Sequence, residues 1–184
     1  FGWIPSFFGQ DVWLYPNIGQ WDDRILYNMP LPSGRVYVEK EGLTYFLSNA
    51  NSHPHDHGAE ESKAGSHLEA SELGQYHCIK HVFVNAKTAN FQQQDSSKHY
   101  HNYFIGNDPS KWKSMVRGYA KTSATDYFEN GNLIYNTENN QLSFHLELAP
   151  NGELSQFSFE LQGADSIFID QKGQLHLQHR FGEI

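Results

Sequence analysis

The chain has 184 residues, a net charge of −8 and an aromatic content of 15%, and it contains a single cysteine. The acidic balance and the lack of a Lys/Arg cluster exclude binding to a phosphate backbone, so no nucleic-acid partner is predicted. One cysteine, Cys78, excludes an internal disulfide and a zinc site built on several cysteines. No apolar stretch approaches the roughly 18 residues of a membrane span, so none is predicted.

The first 16 residues differ in character from the rest of the chain. Residues 1–16 are rich in aromatic and apolar side chains, but Pro5, Gly9 and Pro16 interrupt any continuous helix. We expect this segment to pack onto the domain or onto a partner. Residues 17–184 are predicted to form one β-rich domain.

Short alternating patterns of apolar residues, separated by turn residues, run through this domain. Together with the many aromatic side chains, they predict an all-β fold, either an antiparallel β-sandwich or two small packed β-lobes. Strands are predicted over 24–28, 35–39, 43–47, 75–85, 131–136, 141–148, 154–161, 166–170 and 174–178, with 113–125 extended.

Other segments carry further expectations. The polar stretch 48–73 has almost no large apolar residue and is predicted to be a long, disordered insertion loop. Residues 86–97 are polar and rich in Gln, and no strand is predicted there.

The last third of the chain is predicted to be a β-meander, in which the strand 154–161 pairs with the strand 141–148. Cys78 lies among apolar residues in the middle of a strand, which predicts a small core residue.

Two turns are each followed by a tryptophan. The first covers residues 17–23 and contains Trp21; the second covers residues 101–112 and ends at Trp112. In the second, Gly and Asn tolerate a positive φ, and Asp108-Pro109 favours another bend. We expect both indole rings to cap the ends of a β core, and a sugar-stacking surface built on Trp21 and Trp112 is the alternative.

The order of several motifs carries a family resemblance over roughly residues 15–184. In this order the motifs resemble the domain of unknown function at the N-terminus of large secreted bacterial proteins, which continue into SBBP-type β-propeller repeats, immunoglobulin-like modules and a Bacteroidetes C-terminal sorting domain. Ile18 stands where that family usually has Lys. The motifs are NIGQW (17–21), GRVYVEKEGLTY (34–45), NYFIGNDPSKW (102–112), NLIY (132–135), GADS (163–166) and FGEI (181–184).

The resemblance implies a bacterial protein that is secreted by the type IX route or attached to the cell surface, and of which this chain is a fragment. It implies a non-catalytic module for adhesion or assembly, with other domains of the same polypeptide, surface proteins or glycans as partners. It transfers no catalytic residue. It also implies O-glycosylation at Ser166, because Asp165-Ser166-Ile167 fits the Asp-Ser/Thr-apolar pattern modified in Bacteroidetes.

One cluster has the composition of a metal site. His53, His55, Asp56 and His57 lie within five residues and offer imidazole and carboxylate ligands for Zn²⁺ or Ni²⁺. A solvated loop that binds such ions adventitiously is the alternative, and no cofactor is predicted. The turns at Asp22-Asp23 and Asn107-Asp108 offer oxygen ligands for Ca²⁺, although turn formation alone accounts for these residue types.

No recognisable catalytic motif accompanies these features. The sequence lacks a nucleophile elbow, a phosphate-binding loop and a His-Glu-x-x-His motif, and its adjacent carboxylates are not spaced as an acid/base pair. The sequence therefore favours a non-enzymatic module for adhesion or assembly. A carbohydrate-binding module using surface aromatic rings and a metal-binding protein centred on His53, His55 and His57 are the two alternatives.

Overall fold

The computed structural model describes residues 12–49, 75–87, 89–137 and 141–183. Within these ranges the chain is almost entirely β, and its antiparallel strands form sheets of six, four and three strands. The predicted all-β fold class is confirmed. The strands are β1 (Tyr15–Pro16), β2 (Ile25–Leu31), β3 (Gly34–Glu39), β4 (Gly42–Ser48), β5 (Tyr76–Val84), β6 (Phe91–Tyr103), β7 (Lys113–Phe128), β8 (Gly131–Asn136), β9 (Ser143–Leu148), β10 (Ser158–Gln162), β11 (Ser166–Ile169), β12 (Leu175–His179) and β13 (Gly182–Glu183).

The six-stranded sheet has the order β1-β2-β3-β4-β5-β10. Strands β2, β3 and β4 follow one another as tight hairpins whose registers pair Met29 with Val36 and Val36 with Tyr45. Gly42 begins β4 with a φ of +152°, and a Cβ there would lie 1.8 Å from the carbonyl oxygen of His81. Only glycine therefore lets the start of β4 approach β5 this closely.

The four-stranded sheet has the order β6-β7-β8-β9. A β-bridge joins it to the segment just before β1, where Leu14 and Tyr119 exchange backbone hydrogen bonds of 3.0 and 2.9 Å. Leu14 is fully buried at this junction. The segment just before β1 thus ties the edge of one large sheet to β7 of the other.

Aromatic side chains from both large sheets meet in one core. The Phe83 ring lies 5.6 to 6.2 Å from the rings of Tyr127, Phe128, Phe144 and Phe157. Each such pair contributes about 0.5–1.5 kcal/mol beyond the burial of its area. The Tyr127 hydroxyl donates to the Lys40 carbonyl over 2.6 Å, so polar as well as apolar contacts join the sheets.

The chain crosses between the large sheets at β10, and the predicted meander is wrong here. Residues Leu154–Gln156 form a 3-10 turn, and β10 then pairs with β5 rather than with β9, with Phe159 opposite Phe83. The crossing carries Phe157 into the shared core, where its ring lies 5.1 Å from that of Phe128. Alternation along 154–161 predicts a strand but does not indicate its partner.

Two further expectations are corrected. A 13-residue strand, β6, covers part of the stretch 86–97, in which no strand was predicted. It is an edge strand with mostly exposed residues, so its sequence lacks apolar alternation.

Cys78 is exposed on β5, so the prediction that it is a small core residue is wrong. On β5 the buried side chains are the odd-numbered ones, among them His77 and His81, and Cys78 lies on the opposite face.

The three-stranded sheet, β11-β12-β13, is the smallest. It attaches to the core through Leu177, which is buried, while every residue of β11 is exposed. The turn between β11 and β12 is held by Asp170, whose carboxylate accepts from the backbone N–H groups of Lys172 and Gln174 over 2.9 and 2.8 Å.

Candidate functional site: an exposed aromatic corner

The two tryptophan-bearing turns lie against each other. The Trp21 ring meets the Tyr103 ring edge-on, with centroids 5.0 Å apart. A Cβ on Gly19 would lie 3.3 Å from the Lys113 side chain, so the turns are in close contact. We call the surface formed by Trp21, Tyr103, Phe104, Ile105, Trp112 and Met115 the aromatic corner.

Side-chain hydrogen bonds fix the first turn. The Asn17 carboxamide oxygen accepts from the backbone N–H groups of Gly19 and Trp21, and its Nδ2 donates to the carbonyls of Asp22 and Ile25 over 2.9 Å. Gln20 is buried, and its Nε2 donates to the Pro16 carbonyl over 2.8 Å. The Asn and Gln of this motif therefore have a structural role in presenting Trp21.

The second turn is fixed by Asp108. Its Oδ1 accepts from the Ser110 backbone N–H over 3.0 Å and from the Ser110 hydroxyl over 2.7 Å, capping the 3-10 turn Pro109–Lys111. The indole Nε1 of Trp112 donates to the Gly106 carbonyl over 3.2 Å, and the ring meets Phe104 edge-on at 5.8 Å. The orientation of the Trp112 ring is therefore set on two sides.

A row of aromatic side chains supports the corner from behind. The Tyr15 hydroxyl and His101 Nε2 share a 3.0 Å hydrogen bond, and the His101 ring stacks on Tyr103. Burial raises the pKa of Tyr103, and the neighbouring Tyr15 raises it further. Burial also lowers the pKa of His101. The row is accordingly neutral at physiological pH and acts as a support.

The outer side of the corner is apolar and open to solvent. Phe104 is 62% exposed, Ile105 56%, Trp112 42% and Met115 63%. Met115 has a φ of +57°, which is rare for a residue with a side chain, and its backbone N–H is held by the Asn102 side chain over 2.9 Å. Exposed apolar groups on a strained, hydrogen-bonded frame are typical of binding surfaces.

The carboxylates at the corner do not form an acid/base pair. Hydrogen bonds from Arg24 lower the pKa of Asp22, and hydrogen bonds from Ser110 lower the pKa of Asp108. Both groups are therefore ionised at neutral pH and neither supplies a proton. What the corner offers a ligand is apolar and aromatic surface.

An open depression lies at one end of β8 and β9. It has a volume of about 340 Å³, and Asp126 and Glu147 are among its lining residues. Asp126 is paired with Lys87 at 3.2 Å, and its backbone N–H donates to the Asn132 side chain. The Asp126 carboxylate thus has a structural partner.

The predicted metal site lies outside the described residues, whereas the predicted glycosylation site, Ser166, lies within them. His53, His55, Asp56 and His57 lie outside the described residues, so the metal site stays a prediction. In the part of the chain that the structure describes, no group of three or more His, Cys, Asp or Glu side chains is arranged to hold a metal ion. Ser166 is exposed at the start of β11, and its hydroxyl donates to Gln178 over 2.7 Å.

Three histidines that the sequence did not indicate have defined surroundings in the structure. His77 and His81 are buried on β5, and neither ring nitrogen of His81 has a hydrogen-bond partner among the described residues. His176 on β12 has Glu183 hydrogen-bonded to Nδ1 and Asp170 3.5 Å from Nε2. The spacing of Ile79 and Phe83 on the core side of β5 could have indicated that His77 and His81 share that side.

Comparison with known proteins bears on the family. The family model described as "Domain of unknown function (DUF7948)" matches residues 14–184. The chain belongs to this family. No curated protein and no solved structure matches the chain. Within the described ranges, no helix has the length and apolar character needed to cross a membrane.

Proposed function

We propose that this DUF7948 domain is a non-catalytic module for adhesion or assembly in a large bacterial protein that is secreted or attached to the cell surface. The observation that carries the proposal is the aromatic corner, where Phe104, Ile105, Trp112 and Met115 are exposed together. Side chains of this kind on a fixed frame are the usual anchors of protein interfaces. The partner is another domain of the same polypeptide or a neighbouring surface protein.

The hydrogen-bonded turns beneath the aromatic corner favour a role in binding over a role in catalysis. The side chains of Asn17 and Asp108 accept hydrogen bonds within their own turns. The carboxylates of Asp22 and Asp108 are both ionised at neutral pH. An interface needs fixed apolar groups, which cost little conformational entropy on binding. The corner has such groups and lacks a proton donor matched to neutral pH.

A cysteine-labelling experiment tests this proposal. The Ile105→Cys variant places a thiol on the exposed side of the corner, and the native Cys78, exposed on β5, is a control within the same molecule. Maleimide labelling is measured in the isolated domain and in the complete gene product assembled at the cell surface. We expect labelling at position 105 to slow about tenfold or more on assembly, while Cys78 is unaffected. Equal labelling of position 105 in both states would contradict the proposal.

A carbohydrate ligand is the second candidate for the same surface. The observation that favours it is the Trp112 indole, which is exposed and held in place by Gly106 and Phe104. Such a ring stacks on the apolar face of a sugar. Titration with a panel of oligosaccharides, monitored by Trp112 indole NMR, tests this candidate. Shifts that disappear in Trp112→Ala support it, and an unchanged spectrum with every oligosaccharide rejects it.

A further inference from the structure

Strand β11 is a bare edge. It pairs antiparallel with β12 in an unbroken register from Ser166↔Gln178 to Ile169↔Leu175, and no other described strand pairs with it. Alternate backbone N–H and C=O groups of an edge strand point away from its sheet. These groups are available to a further strand on the open side of β11.

The side chains of β11 are apolar and exposed. Ile167 is 47% exposed, Phe168 42% and Ile169 69%. Because side chains alternate along a strand, the two isoleucines lie on one face of the sheet and Phe168 lies on the other. An added strand would therefore find apolar contacts on both faces of the edge.

Other sheet edges of the domain carry features that discourage pairing. Strand β6 has Asp95 at a φ of +57° and two register irregularities, β9 carries Glu147, and β10 carries Glu160. Charges and bulges of this kind are the ordinary protection of an edge strand. Strand β11 has no charge, proline or bulge, so pairing at this edge is not opposed from within the strand.

The charges that flank β11 indicate which strand fits. Asp165 precedes it and Asp170 follows it. In a centred antiparallel pair of two copies, Asp165 of one copy would lie opposite Asp170 of the other, and like charges opposite one another are destabilising. The net charge of −8 opposes self-association further. A strand with Lys or Arg at both ends would place opposite charges there.

We propose that β11 binds an extended apolar segment of a partner protein, flanked by basic residues, as an added fourth strand of the small sheet. Main-chain hydrogen bonds provide the affinity, the apolar contacts to Ile167, Phe168 and Ile169 add to it, and Asp165 and Asp170 select the basic flanks. This surface shares no residue with the aromatic corner, so the proposal stands independently of the one made for the corner.

Two capped peptides test the proposal by NMR titration of the ¹⁵N-labelled domain. One is Lys-Thr-Val-Ile-Val-Lys, whose two Lys have the same spacing as Asp165 and Asp170, and the other has Glu in place of both Lys. We expect amide shifts centred on β11 with the Lys peptide, binding that weakens as salt is added, and binding about tenfold or more weaker with the Glu peptide. Equal affinity for both peptides, or no shift in β11 with the Lys peptide, would overturn the proposal.

Variants of exposed residues sharpen the test. Ile167→Lys and, as a second position, Ile169→Lys place a charge within the edge and are expected to abolish the β11 shifts. Ile18→Lys changes an isoleucine of similar exposure in the turn beside the aromatic corner and is expected to leave binding unchanged. The β11 amides that do not pair with β12 should exchange freely in the free domain. Protection of these outward amides before any peptide is added, or a dimer in solution, would show another occupant and overturn the proposal.

Discussion

The two large sheets and the small sheet differ in how they use their aromatic residues. In the large sheets, Phe83, Tyr127 and Tyr135 are buried, and their contacts hold one sheet on the other. In the small sheet, Phe168 is exposed and stacks on His176, while Leu177 provides the attachment to the core. The comparison indicates that stability resides in the large sheets, while the two proposed binding surfaces lie where aromatic rings are left in solvent.

The largest expected difference is between two phenylalanines. Phe83→Ala removes a ring at the centre of the core, and we expect it to lower the free energy of unfolding by about 3–5 kcal/mol. Phe168→Ala removes an exposed ring, and we expect a change within about 0.5 kcal/mol. Urea denaturation of both variants measures the difference. Similar losses in the two variants would break the comparison.

A second prediction concerns the buried His81. Burial lowers its pKa from 6.5 to about 4, with the ring stacked on Phe159 and beside Tyr45. The His81 ring therefore takes up a proton less readily in the folded state than in the unfolded state. The free energy of unfolding is highest above pH 6.5 and decreases as the pH falls towards 4. The full loss is about 3 kcal/mol.

The His81→Leu variant should remove this acid sensitivity. We expect its unfolding free energy to fall less than that of the wild type between pH 7 and pH 4, by about 3 kcal/mol. His99→Leu, at an exposed histidine on β6, is the matched control and should follow the wild type. If His81→Leu lost stability in acid as steeply as the wild type, the assignment of His81 would be wrong.

The smallest expected effect is local and has the opposite sign. Hydrogen bonding to Glu183, and then to Asp170, raises the pKa of His176. Its contribution to the small sheet is therefore complete below pH 6.5 and is lost as the pH rises through the raised value. Amide exchange in β12, corrected for intrinsic rates, should be slower at pH 6 than at pH 8.

Replacing His176 by Gln should remove that pH dependence without altering the global unfolding free energy. Exchange in β8 of the same sample is the internal control, because β8 lies in the core of a large sheet. An unchanged pH dependence in β12 of the variant would contradict the role given to His176.

Much of the local structure could be predicted from the sequence. Strand β8 occupies the predicted residues 131–136, and β3, β4 and β5 lie within one or two residues of their predictions. These strands have clear alternation and are bounded by turns, so short-range chemistry determines them. Strand β6 escaped prediction because it is a polar edge strand, and the partner of β10 depends on contacts distant in sequence.

The site follows the same division. The turns that carry Trp21 and Trp112 were predicted from their residues, but the contact between Trp21 and Tyr103 brings together segments about 80 positions apart. The sequence does not indicate which face of β5 packs on the core, because apolar residues occur on both faces of that strand. His77 and His81 were thereby missed, and Cys78 was predicted on the wrong side.

The behaviour of Trp112→Ala tests the central claim, that the aromatic corner is a surface for a partner and not a structural cap. Assembly of the complete gene product at the cell surface is measured for this variant, with the unfolding free energy of its isolated domain as the reference. We expect assembly to be lost while the unfolding free energy falls by about 1 kcal/mol or less, because the half-exposed ring gives up its edge-on contact with Phe104 and its hydrogen bond to Gly106. Normal assembly by a domain destabilised by about 2 kcal/mol would contradict the claim.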